Sequence, residues 1–174
     1  MNILFEKSFA SHDKAKYWSN KNELKPEQVN KSSHKKYWFD CECGHIFNAT
    51  PAAISRGNWC PYCCYPSIKL CDKEDCKHCF DKSFASHPMA ARWSAANSKT
   101  PRQVLKGSHS SFEFNCSCGH TYENVLYSFN TGGTGCSYCG NKKLCNDDNC
   151  KKCFQKSLAS SSLNSEIYIE LLLS

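Results

Sequence analysis

Apolar and polar positions alternate along two short stretches of the chain. Phe112-Glu113-Phe114-Asn115-Cys116 sets its rings at every second position, and Tyr37 to Cys41 is its counterpart, which predicts two half-buried strands. Each stretch runs into a Cys-Gly-His sequence whose glycine, Gly44 or Gly119, suits a tight turn. Ile46 to Thr50 and Thr121 to Val125 then read as return strands. Upstream, Asp13 to Ser19 and Pro88 to Ala95 are predicted short helices. In the second of these Ser86 or His87 is available as cap, and Pro88 takes a first-turn position where its missing N–H costs nothing. The order in one unit is helix, strand, cysteine turn, strand, short helix or loop, second cysteine pair, and the fold class expected is small α+β.

This unit is written twice. Lys7 to His12 recurs as Lys82 to His87 at a shift of 75, and Trp18, Pro26, Gln28-Val29 and His34 find Trp93, Pro101, Gln103-Val104 and His109 at the same shift. Cys41, Cys43, Gly44 and His45 likewise match Cys116, Cys118, Gly119 and His120. The shift becomes 76 for Cys60 and Cys63 on Cys136 and Cys139, and 74 for Cys71, Cys76 and Cys79 on Cys145, Cys150 and Cys153. The slips fall between cysteine clusters, where loops tolerate them. The expected division is module 1 over 1–70, a three-cysteine connector over 71–81, module 2 over 82–144, a second connector over 145–155 and an incomplete third copy over 156–174.

A copy of about 75 residues has a core that only marginally offsets its conformational entropy, so something else must staple it. Fifteen cysteines are available. The odd count, the close pairing and the absence of a secretory signal across Met1 to Lys14 favour metal over disulfides and imply a reducing, intracellular compartment. The longest apolar run, Ile167 to Leu173, is interrupted by Glu170 and too short to span a bilayer. The formal charge of +6 counts every thiol as neutral. A zinc ion held by four thiolates carries a net minus two, so two such sites would leave +2, and any argument for a polyanion partner must rest on local patches.

Zinc takes four N or S ligands in a tetrahedron, and two close cysteine pairs separated by a hairpin-length segment supply them. The candidate sets are Cys41, Cys43, Cys60 and Cys63, and Cys116, Cys118, Cys136 and Cys139. Each first pair is C-x-C rather than C-x-x-C, so His45 and His120, four residues after the first cysteine, are alternative ligands to Cys43 and Cys118. A candidate second class consists of Cys71, Cys76 and Cys79, repeated as Cys145, Cys150 and Cys153. Three thiolates need a fourth partner, for which His78, His87 and Cys64 are candidates in the first copy. His78 matches Lys152 and His87 matches Ser161, so neither serves both copies, and His87 has helix capping as a rival role.

No catalytic constellation stands out, since paired spacing explains the cysteines better than nucleophilic chemistry does. No small-molecule substrate is implied. Lys31-Ser32-Ser33-His34-Lys35-Lys36-Tyr37-Trp38 interleaves cations with aromatics as a nucleic-acid surface does, with Lys31, Lys35 and Lys36 as candidate phosphate contacts. The matching stretch, Lys106 to Phe112, is much less basic.

The Lys-Ser-Phe-Ala-Ser-His segment, Tyr17-Trp18-Ser19-Asn20, Tyr37-Trp38-Phe39-Asp40-Cys41, the Cys-Gly-His turn and Trp59-Cys60-Pro61-Tyr62-Cys63 together carry a resemblance. Over about residues 5 to 155 the chain resembles a zinc-ribbon or treble-clef-like zinc finger repeat family found in bacteria, plants and giant DNA viruses. The resemblance implies tandem zinc-ribbon or treble-clef-like modules, and its Cys and Gly-His turn supports His45 and His120 as rival ligands. Related repeats accompany endonuclease domains, which implies a nucleic-acid context. No nuclease domain is recognisable here, so cleavage is not carried over. The expectation is a non-enzymatic structural-zinc protein with an accessory nucleic-acid function, DNA ahead of RNA. The alternative is a protein-interaction or virion scaffold module. The incomplete third copy suggests a piece of a longer array, in a virion or in host cytoplasm or nucleus if viral.

Overall fold

Phe9 and Phe39, both fully buried, are the residues around which the first half of the chain is built. The computed structural model describes residues 4–130, 132, 135–147, 149–157 and 160. The chain divides into two units, Met1–Lys82 and Ser83–Ser174.

In the first unit the expected helix over Asp13 to Ser19 is a 3-10 helix, Asp13–Tyr17. Its N-cap is His12, whose Nδ1 accepts from the Lys14 amide at 3.0 Å while the ring stacks on Phe9 at 5.2 Å. The 3-10 form follows from the shortness of each turn, since i→i+3 bonds close fewer residues than an α-turn needs. Phe9 is anchored by its amide donating to the Val29 carbonyl at 2.7 Å. Strands β1 (Tyr37–Asp40) and β2 (Ile46–Ala49) form an antiparallel hairpin with Phe39 opposite Phe47. Tyr37, Phe39 and Phe47 point into the core with Val29, Ile54 and Cys60, while Trp38 and Asp40 face outward. Asn22 closes the outer edge of β1, its side-chain amide donating to the Trp38 carbonyl at 2.8 Å and accepting from the Trp38 amide at 2.9 Å. Helix α1 (Pro51–Ser55) starts on Thr50, whose hydroxyl accepts from the Ala53 amide, with Pro51 in the first turn. Helix α2 (Lys77–Lys82) closes the unit.

The second unit repeats this plan. The predicted helix over Pro88 to Ala95 is the 3-10 helix Pro88–Arg92, capped by His87, followed by β3 (Ser111–Asn115) paired with β4 (Thr121–Val125), α3 (Leu126–Asn130) and α4 (Lys151–Phe154). Phe84, Phe114 and Leu126 are fully buried. The two cores are filled differently around α1 and α3. Ile54 and Trp59 of the first copy correspond to Phe129 and Gly135 of the second. Trp59 packs edge-on against Phe47 at 5.1 Å, and in the second unit Phe129 packs edge-on against Phe114 at 5.1 Å. A larger residue on the helix thus takes up volume that an indole supplies in the first copy, as close packing of an interior requires. Of the expected third copy, residues 158–159 and 161–174 lie outside the described residues.

Candidate metal centres

The turn between β1 and β2 is closed by the Gly44 amide donating to the Cys41 carbonyl, and by the Cys41 amide donating to the His45 carbonyl, both at 2.9 Å. Gly44 has φ +80°, a conformation that L side chains adopt at a cost. The turn carries Cys41 and Cys43 toward Cys60 and Cys63, which lie in a second turn after α1. Sulfur–sulfur distances are 3.6 Å for Cys41–Cys63 and 3.7 Å for Cys43–Cys60, and the four Sγ atoms lie within 4.8 Å of one another. A tetrahedron with Zn–S of about 2.3 Å has edges of about 3.8 Å, so the set fits a zinc ion. The second unit repeats it, with 3.5 Å for Cys116–Cys139 and 3.7 Å for Cys118–Cys136.

Each unit builds a second tetrad. Cys71, Cys76 and Cys79 are gathered by a turn that enters α2, where the Cys71 amide donates to Cys79 Sγ at 3.3 Å. Their fourth partner is His45, at the start of β2, whose Nε2 lies 3.4 Å from Cys76 Sγ and 3.3 Å from Cys79 Sγ. A zinc ion with Zn–N of about 2.0 Å and Zn–S of about 2.3 Å needs an N–S edge of about 3.5 Å. His120 stands in the same relation to Cys150 and Cys153, at 3.3 and 3.4 Å, and Cys145 completes that tetrad. The imidazoles are held by stacking, His45 on Tyr62 at 4.4 Å and His120 on Tyr138 at 4.3 Å.

A family model described as a probable treble clef zinc finger domain matches residues 14–66 and again residues 89–142, more than half of the chain. The chain belongs to this zinc finger family. It is also 43% identical over 162 residues to an uncharacterized protein of Acanthamoeba polyphaga mimivirus, an alignment that covers 90% of this chain and 39% of that relative. The chain thus corresponds to well under half of its giant-virus relative's length. The matched segments contain both four-cysteine tetrads together with His45 and His120. They stop short of Cys71 to Cys79 and Cys145 to Cys153.

Protonation differs within each tetrad. Burial works against ionisation of Cys41, but hydrogen bonds from the Cys43 backbone and from neighbouring thiols outweigh it and lower its pKa; its counterpart Cys116 is brought down to about 6 in the same way. Cys63 is pushed up to about 12, by burial first and then by Cys41, and burial likewise raises Cys60 and Cys136. In the second class Cys71 falls to about 6, where burial is overcome by hydrogen bonds from His45 and the Lys73 backbone. In the other copy Cys150 is the lowered thiol and Cys145 is raised to about 11. What recurs is one lowered thiol beside a neighbour driven up, as expected of thiols packed closely enough to interact.

The placement of the remaining candidates follows. The four-cysteine sets come together as their spacing suggests, with Cys43 and Cys118 inside them. His45 and His120 take the fourth place of the other tetrads instead of replacing those cysteines. His87 is not in a tetrad, because its Nδ1 is engaged in capping, accepting from the Met89 amide at 3.1 Å. His78 Nε2 lies 3.2 Å from the Tyr62 carbonyl, and Cys64 donates to the Pro66 carbonyl at 3.3 Å. Lys31, Lys35 and Lys36 are exposed, and Lys35 leans over Tyr37. Sequence reasoning missed Lys21, whose Nζ sits 5.6 Å over the ring of Trp38, itself 41% exposed. Among the described residues no helix is long and apolar enough to cross a membrane.

Proposed function

We propose that the chain is a non-enzymatic tandem module held together by four structural zinc ions, and that its first module binds nucleic acid. The observation that supports the zinc reading is the recurrence, in two independently diverged copies, of sulfur and nitrogen spacings that fit tetrahedral zinc. All four positions of each tetrad come from the protein, which leaves no open position for a reactive water. Zinc would supply folding free energy on the order of 10 kcal/mol per site, more than so small a core can provide. Metal counting on protein purified without added metal tests this, with about four zinc ions per chain expected and a count below four overturning the four-ion reading.

The nucleic-acid component rests on where the copies diverge. Two four-thiolate zinc sites at minus two and two histidine–three-thiolate sites at minus one bring the formal +6 to zero, so overall charge attracts no polyanion. The first module nevertheless carries a local patch in which Trp38 is exposed on β1 beneath Lys21, with Lys35 and Lys36 just before it. In the second copy Trp38 is replaced by Glu113, which accepts from Ser94 Oγ, and Lys35 and Lys36 by Ser110 and Ser111. Phe9, Val29, Phe39 and Cys60 of the core are kept as Phe84, Val104, Phe114 and Cys136 while this outward face loses its charge and its indole, which suits a recognition role over a packing one. DNA is the first candidate ligand. Fluorescence anisotropy over a salt series is the test: substituting Lys31, Lys35 and Lys36 together should reduce the slope of log affinity against log salt by about 0.9 for each duplex phosphate that is no longer neutralised. Absence of wild-type binding at low salt would favour a protein-interaction role instead.

A further inference from the structure

We infer that His45 and His120 each serve two metal sites at once, through Nε2 as fourth ligand of the second tetrad and through Nδ1–H as donor to a thiolate of the first, so that the two metals of a module bind with positive coupling. This rests on the zinc reading of the four tetrads.

His45 Nδ1 lies 3.2 Å from Cys43 Sγ while Nε2 faces Cys76 and Cys79 on the other side of the ring. His120 repeats the arrangement, with Nδ1 at 3.1 Å from Cys118 Sγ and Nε2 facing Cys150 and Cys153. A neutral imidazole has one N–H and one lone pair. When Nε2 gives its lone pair to a metal, the proton resides on Nδ1 and is aimed at the Cys43 thiolate. Without that metal the proton can move to Nε2, and Nδ1 then presents a lone pair to the same sulfur, which repels it. Metal in the second tetrad therefore selects the tautomer that stabilises a ligand of the first. By linkage the effect is reciprocal: a metal-bound Cys43 thiolate holds the proton on Nδ1 and leaves Nε2 free for its own ion. Stacking on Tyr62 or Tyr138, with the rings 13° and 15° from parallel, keeps the imidazole from turning out of this position. The Cys-Gly-His sequence takes on a purpose here, because it puts the histidine two residues after the thiolate it donates to. The three-cysteine segments also become parts of the modules, although they lie beyond the residues that the family model matches.

The test uses the full chain and three sets of substitutions, read by zinc count, by chelator competition for the four-cysteine sites and by cadmium NMR to verify that those sites persist. In His45→Asn with His120→Asn, the side-chain amide can stand near the former Nδ1–H, whereas in His45→Gln with His120→Gln it reaches out toward the former Nε2. Both should lose the second-class metals. The glutamine pair should also bind metal at the four-cysteine sites roughly 10- to 100-fold more weakly than wild type, as loss of an outer partner does, with the asparagine pair weakened less. Cys76→Ser, Cys79→Ser, Cys150→Ser and Cys153→Ser together, which keep both histidines, should weaken the four-cysteine sites by about 10-fold. Equal affinity at those sites in all variants and wild type would overturn the coupling. Retention of wild-type zinc content by both histidine variants would overturn the Nε2 assignment. A wild-type count below four would instead overturn the zinc reading on which the coupling stands.

Discussion

Replacing Cys60 by serine removes one thiolate from the first tetrad and puts a hydroxyl into the core of the first module. Cys60 is fully buried and belongs to the cluster formed by Phe9, Val29, Tyr37, Phe39, Phe47 and Ile54. Two losses follow. The serine hydroxyl loses its solvation in an apolar setting, costing about 1–3 kcal/mol if unpartnered. If the tetrad holds zinc as proposed, the larger loss is the metal: a structural zinc site contributes on the order of 10 kcal/mol, while whole domains are stable by about 5–15 kcal/mol, so this module should not remain folded without it. The candidate ligands of the second unit all lie in residues 116–153, so its two proposed sites should survive. The expected outcome is a zinc count reduced by two and an amide NMR spectrum in which resonances of the first module collapse to random-coil positions while those of the second stay dispersed. Loss of both sets of resonances would refute separate ligand sets and point to a shared core, and retention of both would refute the structural role of the metal.

Metal affinity should rise steeply with pH, because Cys63, held up at about 12, and the raised Cys60 must shed protons to bind; chelator competition between pH 6 and 8 should show log affinity of the first site climbing by at least about two per pH unit. Gly44→Ala should lower stability by about 1–2 kcal/mol, since φ of +80° is unfavourable for alanine although no atom lies within 4 Å of the added Cβ. Thermal unfolding of the zinc-loaded protein measures it, and an unchanged midpoint would mean that the turn relaxes.

Much of this architecture was legible along the chain. Alternation of rings and polar residues in Tyr37 to Cys41 and Phe112 to Cys116 predicts the strands, found at Tyr37–Asp40 and Ser111–Asn115, to within a residue, because side-chain period is a local property of an extended backbone. The four-cysteine sets were legible from paired spacing. The histidine that stands with each three-cysteine set lies about thirty residues before it, and recurrence in both copies narrows the choice without fixing it: His78 has no histidine counterpart, whereas His34 with His109 and His45 with His120 both recur. Spacing along the chain favours His78 and His87, which lie near Cys79, and makes His45 a rival ligand within its own turn.

The sequence by itself determined the repeat, the hairpins, the residue types available for metal and the buried aromatic positions, because each of these is written in short-range pattern and in residue chemistry. Tertiary structure decided which donors meet. His45 reaches Cys76 and Cys79 across the loop that contains Cys60 to Cys63, and Phe129 compensates for an indole absent near Gly135. A coordination shell and a filled core are set by distances between side chains far apart along the chain, and those distances exist only once the hairpin, the turns and the short helices have packed against one another.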